Sequence, residues 1–305
     1  MITLLLACAP PAADTGDEPV VRRPQDTASV EESICGYVDI SMQYVAPGTF
    51  LMGAAPGSAG QDEDEVQHQV TLTRGYCISQ HEITQTNFEQ YAGYNPSTFR
   101  DCGGFCPVES VSWHTAAWFT NRMSAAWDLE TCYDCEGSGE SAICQTRGSI
   151  QTCDGFRLPL EAEWEYAARA GETSTYGNGG SLVAGDEDNC DGELLLDSGA
   201  RLDDMGWYCG NSGDTTQPVA RLVPNALYLY DMSGNVAEWV NDWYSETYGY
   251  GETIDPWGPG NGSWRVVRGG SFAAEPEGVR VSGRGHVEPF QAFETGGFRV
   301  VRTWD

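Results

Sequence analysis

Apolar and polar positions alternate in short stretches along this chain, so the elements they predict are short. Residues 42–53, MQYVAPGTFLMG, alternate about a central Pro–Gly, the pattern of a strand, a turn and a second strand. An acidic run, DEDEV, leads into HQVTL, which predicts another strand. In 84–94, TQTNFEQYAGY, Phe88 and Tyr91 fall at helical spacing and Thr84 stands where an N-cap belongs. In 110–127, Ser112 is the cap, and Ala116, Phe119, Met123 and Trp127 share one helical face. The strongest helix signal is 155–172, GFRLPLEAEWEYAARAGE. It has three early Glu, a buried stripe of Trp164, Ala167 and Ala168, a late Arg169 and Gly171 as terminator.

From 173 to 227 the signals are those of loops. LYLYDMSGNVAEWVNDWY, 227–244, predicts a short strand, a turn at Ser233–Gly234–Asn235 and an aromatic-rich segment. The tetrapeptide RVVR occurs at 265–268 and again at 299–302, which we read as two strands of one terminal sheet. The sum is an α+β domain of low regular secondary structure over residues 35–305, large enough to close one core.

Charge narrows the partners. Forty-five acids against sixteen bases give a net charge of −29, which argues against nucleic acid and anionic membranes and favours cations. Every base is Arg, so lysine nucleophiles are excluded, the α-amine aside. At the N-terminus, Leu5–Leu6–Ala7–Cys8 resembles a bacterial lipobox, which makes 1–8 a signal remnant and Cys8 the lipidation site. The apolar run is too short to span a bilayer. Residues 9–34 are acidic and Pro-rich and read as a disordered tether. The expected location is the exported face of a bacterial envelope, with the membrane engaged only through the lipid.

Ten further cysteines are an even number, as an exported disulfide framework requires. Cys102 and Cys106 flank a tight GGF loop that a bridge could close. Cys132, Cys135, Cys144 and Cys153 admit two readings, bridges or a zinc ribbon. The second pair is too widely spaced for a usual knuckle, which favours bridges.

Candidate chemistry is sparse. There is no Walker motif, no GxSxG elbow and no HExxH. The acidic loop at 185–197 fails the EF-hand register, since Cys190 takes a ligand position. Asp231 and Glu238 bracket the Gly234 turn, so side-chain and carbonyl oxygens on one loop could hold calcium. The competing reading has Asp231 capping backbone amides and Glu238 pairing with an Arg. Ser271 follows Arg268 and two glycines, with Arg284 close in sequence, and could border an anion pocket.

A run of ordered motifs then points to a family: APGTFLMG, EITQTNFEQY, CPVESVSWHTAAWFTNRMS, GFRLPLEAEWEYAARAG, LYDMSGNVAEWVNDWY, RVVRGGSF and terminal GGFRVVR. Over residues 40–305 the chain resembles the formylglycine-generating, or sulfatase-modifying factor, domain family. The cysteine-rich insert is similar to that of secreted bacterial lipoprotein members. The resemblance implies a fold related to C-type lectins and stabilised by calcium, held by Asp231, Glu238 and the carbonyls of Gly234 and Val236. It also implies a copper oxidase that converts a substrate cysteine to formylglycine, with Ser271 as the pocket serine. The two copper thiolates of that family align with Ala274 and Val279, which cannot bind copper. Leu160, Ala237 and Tyr228 also depart from the family pattern, at positions usually Thr, Trp and Gly.

Two functions follow as expectations. The first is a calcium-stabilised surface module that binds a protein or small molecule, with Trp239, Trp243, Phe272, Arg268, Ser271 and Arg284 around its pocket. The alternative is a divergent metal-dependent oxidoreductase acting on a protein or small-molecule substrate.

Overall fold

The computed structural model describes residues 35, 39–191, 193–248 and 253–304. Cys8 and the 9–34 tether lie outside the described residues. Twelve short strands are described: β1 (Met42–Val45), β2 (Gly48–Met52), β3 (His68–Leu72), β4 (Gly75–Ser79), β5 (Tyr133–Glu136), β6 (Ile143–Thr146), β7 (Phe156–Arg157), β8 (Ala237–Trp243), β9 (Arg265–Arg268), β10 (Arg284–Val287), β11 (Gly296–Gly297) and β12 (Val301–Trp304). The α-helices are α1 (Gln85–Ala92), α2 (Trp113–Ala126) and α3 (Glu161–Arg169). Two four-stranded sheets, β1-β4-β12-β7 and β10-β9-β8-β11, carry the fold, with β2-β3 and β5-β6 as separate ribbons. The α+β expectation holds.

Local signals placed the helices well. Thr84 accepts from Asn87 N at 3.1 Å and Ser112 from Thr115 N at 3.1 Å, so each satisfies an amide left free at a helix start. Trp127 does not complete the buried face of α2; it lies past the helix end and is 36% exposed. Leu160 offers α3 no capping oxygen. Glu163 turns back to accept from Leu160 N at 2.8 Å, and Asp242 Oδ2, on β8, accepts from Glu161 N at 2.9 Å.

Three long-range expectations are corrected. β1 and β2 do not form a hairpin: β1 pairs with β4 and β2 with β3. Residues 227–230 form no strand; the ladder starts at Ala237. The two RVVR copies lie in different sheets, β9 between β8 and β10, and β12 between β4 and β7. Identical tetrapeptides part because the neighbouring strands, and not the side chains, select the sheet.

Bridges join Cys35–Cys77, Cys102–Cys106, Cys132–Cys153, Cys135–Cys144 and Cys190–Cys209, so the four insert cysteines pair with one another. Each typically contributes about 2–4 kcal/mol, useful where regular structure is scarce. Gly234 is a glycine of necessity: its φ is 88° and a Cβ would stand 1.8 Å from Trp207 O. Tyr228 has the same need unmet. It occupies a left-handed φ of 57° with its ring 62% exposed, so it strains the backbone and packs little in return. Tyr228→Gly is expected to raise stability by about 1 kcal/mol, read as a higher denaturant midpoint with unchanged slope; a lower midpoint would show that the ring contributes more than the strain costs.

Candidate functional site

Burial of charge organises the middle of the molecule. The three Glu of α3 each turn to a different Arg. Glu163 is held bidentately by Arg157 at 2.7 and 2.8 Å, and Glu161 by Arg284 at 2.7 and 3.0 Å. Glu165 takes Arg169 at 2.9 Å and also meets Arg268. Glu65 pairs with Arg280 at 2.6 and 2.7 Å. A planar guanidinium matches two carboxylate oxygens at once, so an Arg-only set of bases suits buried pairing better than ammonium groups would.

The six residues expected around a pocket at Ser271 separate into two groups. Arg268 is buried and largely engaged: beside Glu165 it donates to the carbonyls of Val281, Ser282 and Gly283, each at 2.9 Å, and only Nε has no partner among the described residues. Ser271 is buried, and its hydroxyl accepts from Ala273 N at 3.3 Å. Phe272 packs edge-on against Phe99 with ring centres 5.2 Å apart. Trp239 is core and donates to Val111 O at 2.9 Å. These four are structural. Only Trp243 and Arg284 line the cavity of about 380 Å³, which opens over the start of α3 and the end of β8.

The positions aligned with copper thiolates are closed by hydrocarbon. Val279 is fully buried in a cluster with Tyr176, Leu182, Met205 and Tyr208, and Ala274 packs against the same cluster. All ten described cysteines are in bridges, so no thiolate is on hand among the described residues.

The loop at 231–238 realises part of each earlier reading. Asp231 Oδ2 accepts from Ala220 N at 2.7 Å. Glu238 is taken by Arg299, at 2.6 and 2.7 Å, and by Trp164 Nε1 at 2.7 Å. Glu238 is thus paired with a guanidinium, as the competing reading had it. Asp231 Oδ1 and both oxygens of Glu82 are buried with no donor among the described residues beyond a proton shared between the two carboxyls. Burial, with Asp231 and then Glu238 beside it, pushes Glu82 well above the usual carboxylate range. Burial likewise lifts Asp231 to about 6, against the opposing pull of the Ala220 amide and Arg299. Orphaned hard oxygens of this kind fit a divalent cation held by Asp231 and Glu82, one step from the residue the sequence suggested. Glu82 was missed because it lies far off in sequence; its signal was an acid beside Ile83, just ahead of a helix cap.

The 380 Å³ cavity was not legible in the sequence. His68, Glu161, Asp242, Trp243 and Tyr248 meet there with the Pro256–Gly260 loop. Burial, with Glu161 adjacent, raises the Asp242 carboxyl to about 8.

Comparisons with known proteins agree with this architecture. The sulfatase-modifying factor enzyme 1-like domain matches residues 39–304. The chain is 33% identical to the chaperone protein LppX of Paenibacillus barcinonensis over 259 residues, covering 77% of this chain and 82% of that protein. It is 38% identical to the formylglycine-generating enzyme of Streptomyces coelicolor over 294 residues, covering 85% and 88%. Among solved structures it resembles Treponema denticola variable protein 1, with a TM-score of 0.71 and 29% identity, covering 88% of this chain and 96% of that one.

Proposed function

We propose that this chain, which belongs to the sulfatase-modifying factor enzyme 1-like domain family, is a ligand-binding module and not a formylglycine-generating oxidase. One observation carries the reading: buried Val279 and partly buried Ala274 put hydrocarbon at the thiolate positions, and the described cysteines are all bridged. A soft copper(I) ion needs thiolates, so the oxidase chemistry has no anchor there. Its relative LppX is named a chaperone protein, which accords with a binding role for this chain. Five bridges support an oxidising compartment. Cys8 as a lipid anchor, with 9–34 as a tether, would hold the module at the bacterial envelope, where its partner is a surface protein or small molecule. The test is metal analysis and oxygen uptake by the oxidised protein after incubation with copper(I). No stoichiometric copper and no turnover of a cysteine peptide are expected; stoichiometric copper with oxygen uptake would restore the oxidoreductase reading.

Calcium belongs to the same proposal, as a structural ion at Asp231 and Glu82 with the carbonyls of Gly234 and Val236. The ion would neutralise two carboxylates that otherwise share protons. Chelation is expected to lower the melting temperature by several degrees, since an ion at a hundredfold its Kd adds about 2.7 kcal/mol. Glu82→Gln should remove that sensitivity. An identical melting curve with and without chelator would sink the assignment.

A further inference from the structure

In the cavity at the mouth of α3, Arg284 is balanced by carboxylates while the Asp242 carboxyl has no ion pair among the described residues. Its guanidinium, Arg284, has four of its five N–H groups engaged: Nε and Nη2 bind Glu161, and Nη1 donates to Asp64 O at 3.2 Å and Ser245 O at 3.0 Å. Its charge is balanced by Glu161 and Asp64, so an anion entering the cavity would meet no uncompensated cation on it. The cavity's other polar groups are less committed. Asp242 spends Oδ2 on the Glu161 amide and has no ion pair among the described residues. The Tyr248 ring is half-buried, and its hydroxyl is buried with no partner among the described residues. His68 Nδ1 lies 3.0 Å from Val66 O, which can only accept, so that nitrogen carries the hydrogen between them.

Much of the remaining wall is apolar, with Ser245 and Thr247 the polar exceptions. Met52, Ala162, Pro256, Trp257 and Pro259 enclose the body of the space. At about 380 Å³ it is at the small end of ligand sites. A net charge of −29 raises the local concentration of cations over anions.

We propose that this cavity binds a small organic ammonium ion with an aromatic or branched hydrocarbon body, the charged head meeting Asp242 and Tyr248 and the body lying between Trp257 and the two prolines. The proposal rests on the binding-module reading and gives it a ligand class. Phenethylamine is the probe, phenylacetate the anion of the same shape, and phenethyl alcohol the neutral one.

Calorimetry on the full oxidised chain at pH 7 is expected to show phenethylamine binding at least tenfold tighter than either control. Because burial holds Asp242 near 8, the bound ammonium should expel close to one proton, seen as different heats in phosphate and Tris. Asp242→Asn keeps an acceptor for the Glu161 amide, and should abolish the proton release and weaken binding more than tenfold. Tyr248→Phe removes only an orphaned hydroxyl; it should fold as well as the parent and still weaken binding about tenfold. Equal affinity for the three probes, no saturation by phenethylamine up to about 10 mM, or unchanged binding in both variants would each overturn the proposal. Those results leave the metal analysis untouched, while stoichiometric copper would remove the module reading and leave this binding measurement standing.

Discussion

Arg299→Met is expected to cost about 3–5 kcal/mol of stability, enough to unfold most of a marginal domain at 37 °C. Arg299 is fully buried and holds Glu238 by two oxygens while donating to Ser79 O at 3.1 Å and Tyr230 O at 3.0 Å. Ser79 ends β4 and Glu238 stands on β8, so one guanidinium ties the two main sheets together. Glu82 and Asp231 crowd the same spot, as their raised proton affinities show. Without the guanidinium, three buried carboxylates would face one another. The pair's net worth is a separate matter, because buried ion pairs replaced together by hydrocarbon often cost little. Arg299→Met with Glu238→Leu should therefore recover part of the loss. Denaturant unfolding under oxidising conditions reads both, and a single variant with the parent's midpoint would contradict the argument.

What the sequence made legible was local. Thr84 and Ser112 cap the helices they precede, because an N-cap needs only a hydroxyl within three residues of a free amide. The glycine turn at 234 was legible for the same reason. Pairing across the chain was not. Glu161, Glu163 and Glu165 read as acids favoured by a helix N-terminus, yet Glu161 waits for Arg284 and Glu165 for Arg268, each more than a hundred residues away. A partial signal existed at Leu160: a helix start with no capping oxygen must borrow an acceptor, and Asp242 supplies it from β8. The motif at Arg268–Ser271 marked a site by family pattern, but packing turned it into a corner of the core. The cavity formed away from Ser271, from β3, α3, β8 and the Pro256–Gly260 loop, and took only Trp243 and Arg284 from the residues expected around a pocket.

Stability should fall as pH rises from 5 to 9, by about 4 kcal/mol, through Asp242 alone. The carboxyl is buried, near Glu161 and Glu163, and these effects outweigh the Glu161 amide and Arg265, so it titrates at about 8 in place of 3.8. A raised carboxyl stabilises the fold while it keeps its proton. That contribution is complete below the unfolded value of 3.8 and is lost as pH climbs through 8. Each pH unit between 5 and 8 is worth about 1.4 kcal/mol, which sets the magnitude. Glu161 runs the other way, held below the usual range by Arg284 and Arg268 despite its burial, but its loss begins only in acid below this window. Asp242→Asn cannot ionise and retains an acceptor for the Glu161 amide. The variant's stability should be nearly flat over the same range and should exceed the parent's at pH 9. Melting curves at pH 5, 7 and 9 for both proteins decide the matter: parallel pH dependence in parent and variant would place the titrating group elsewhere, and with it the proton that a bound ammonium is expected to expel.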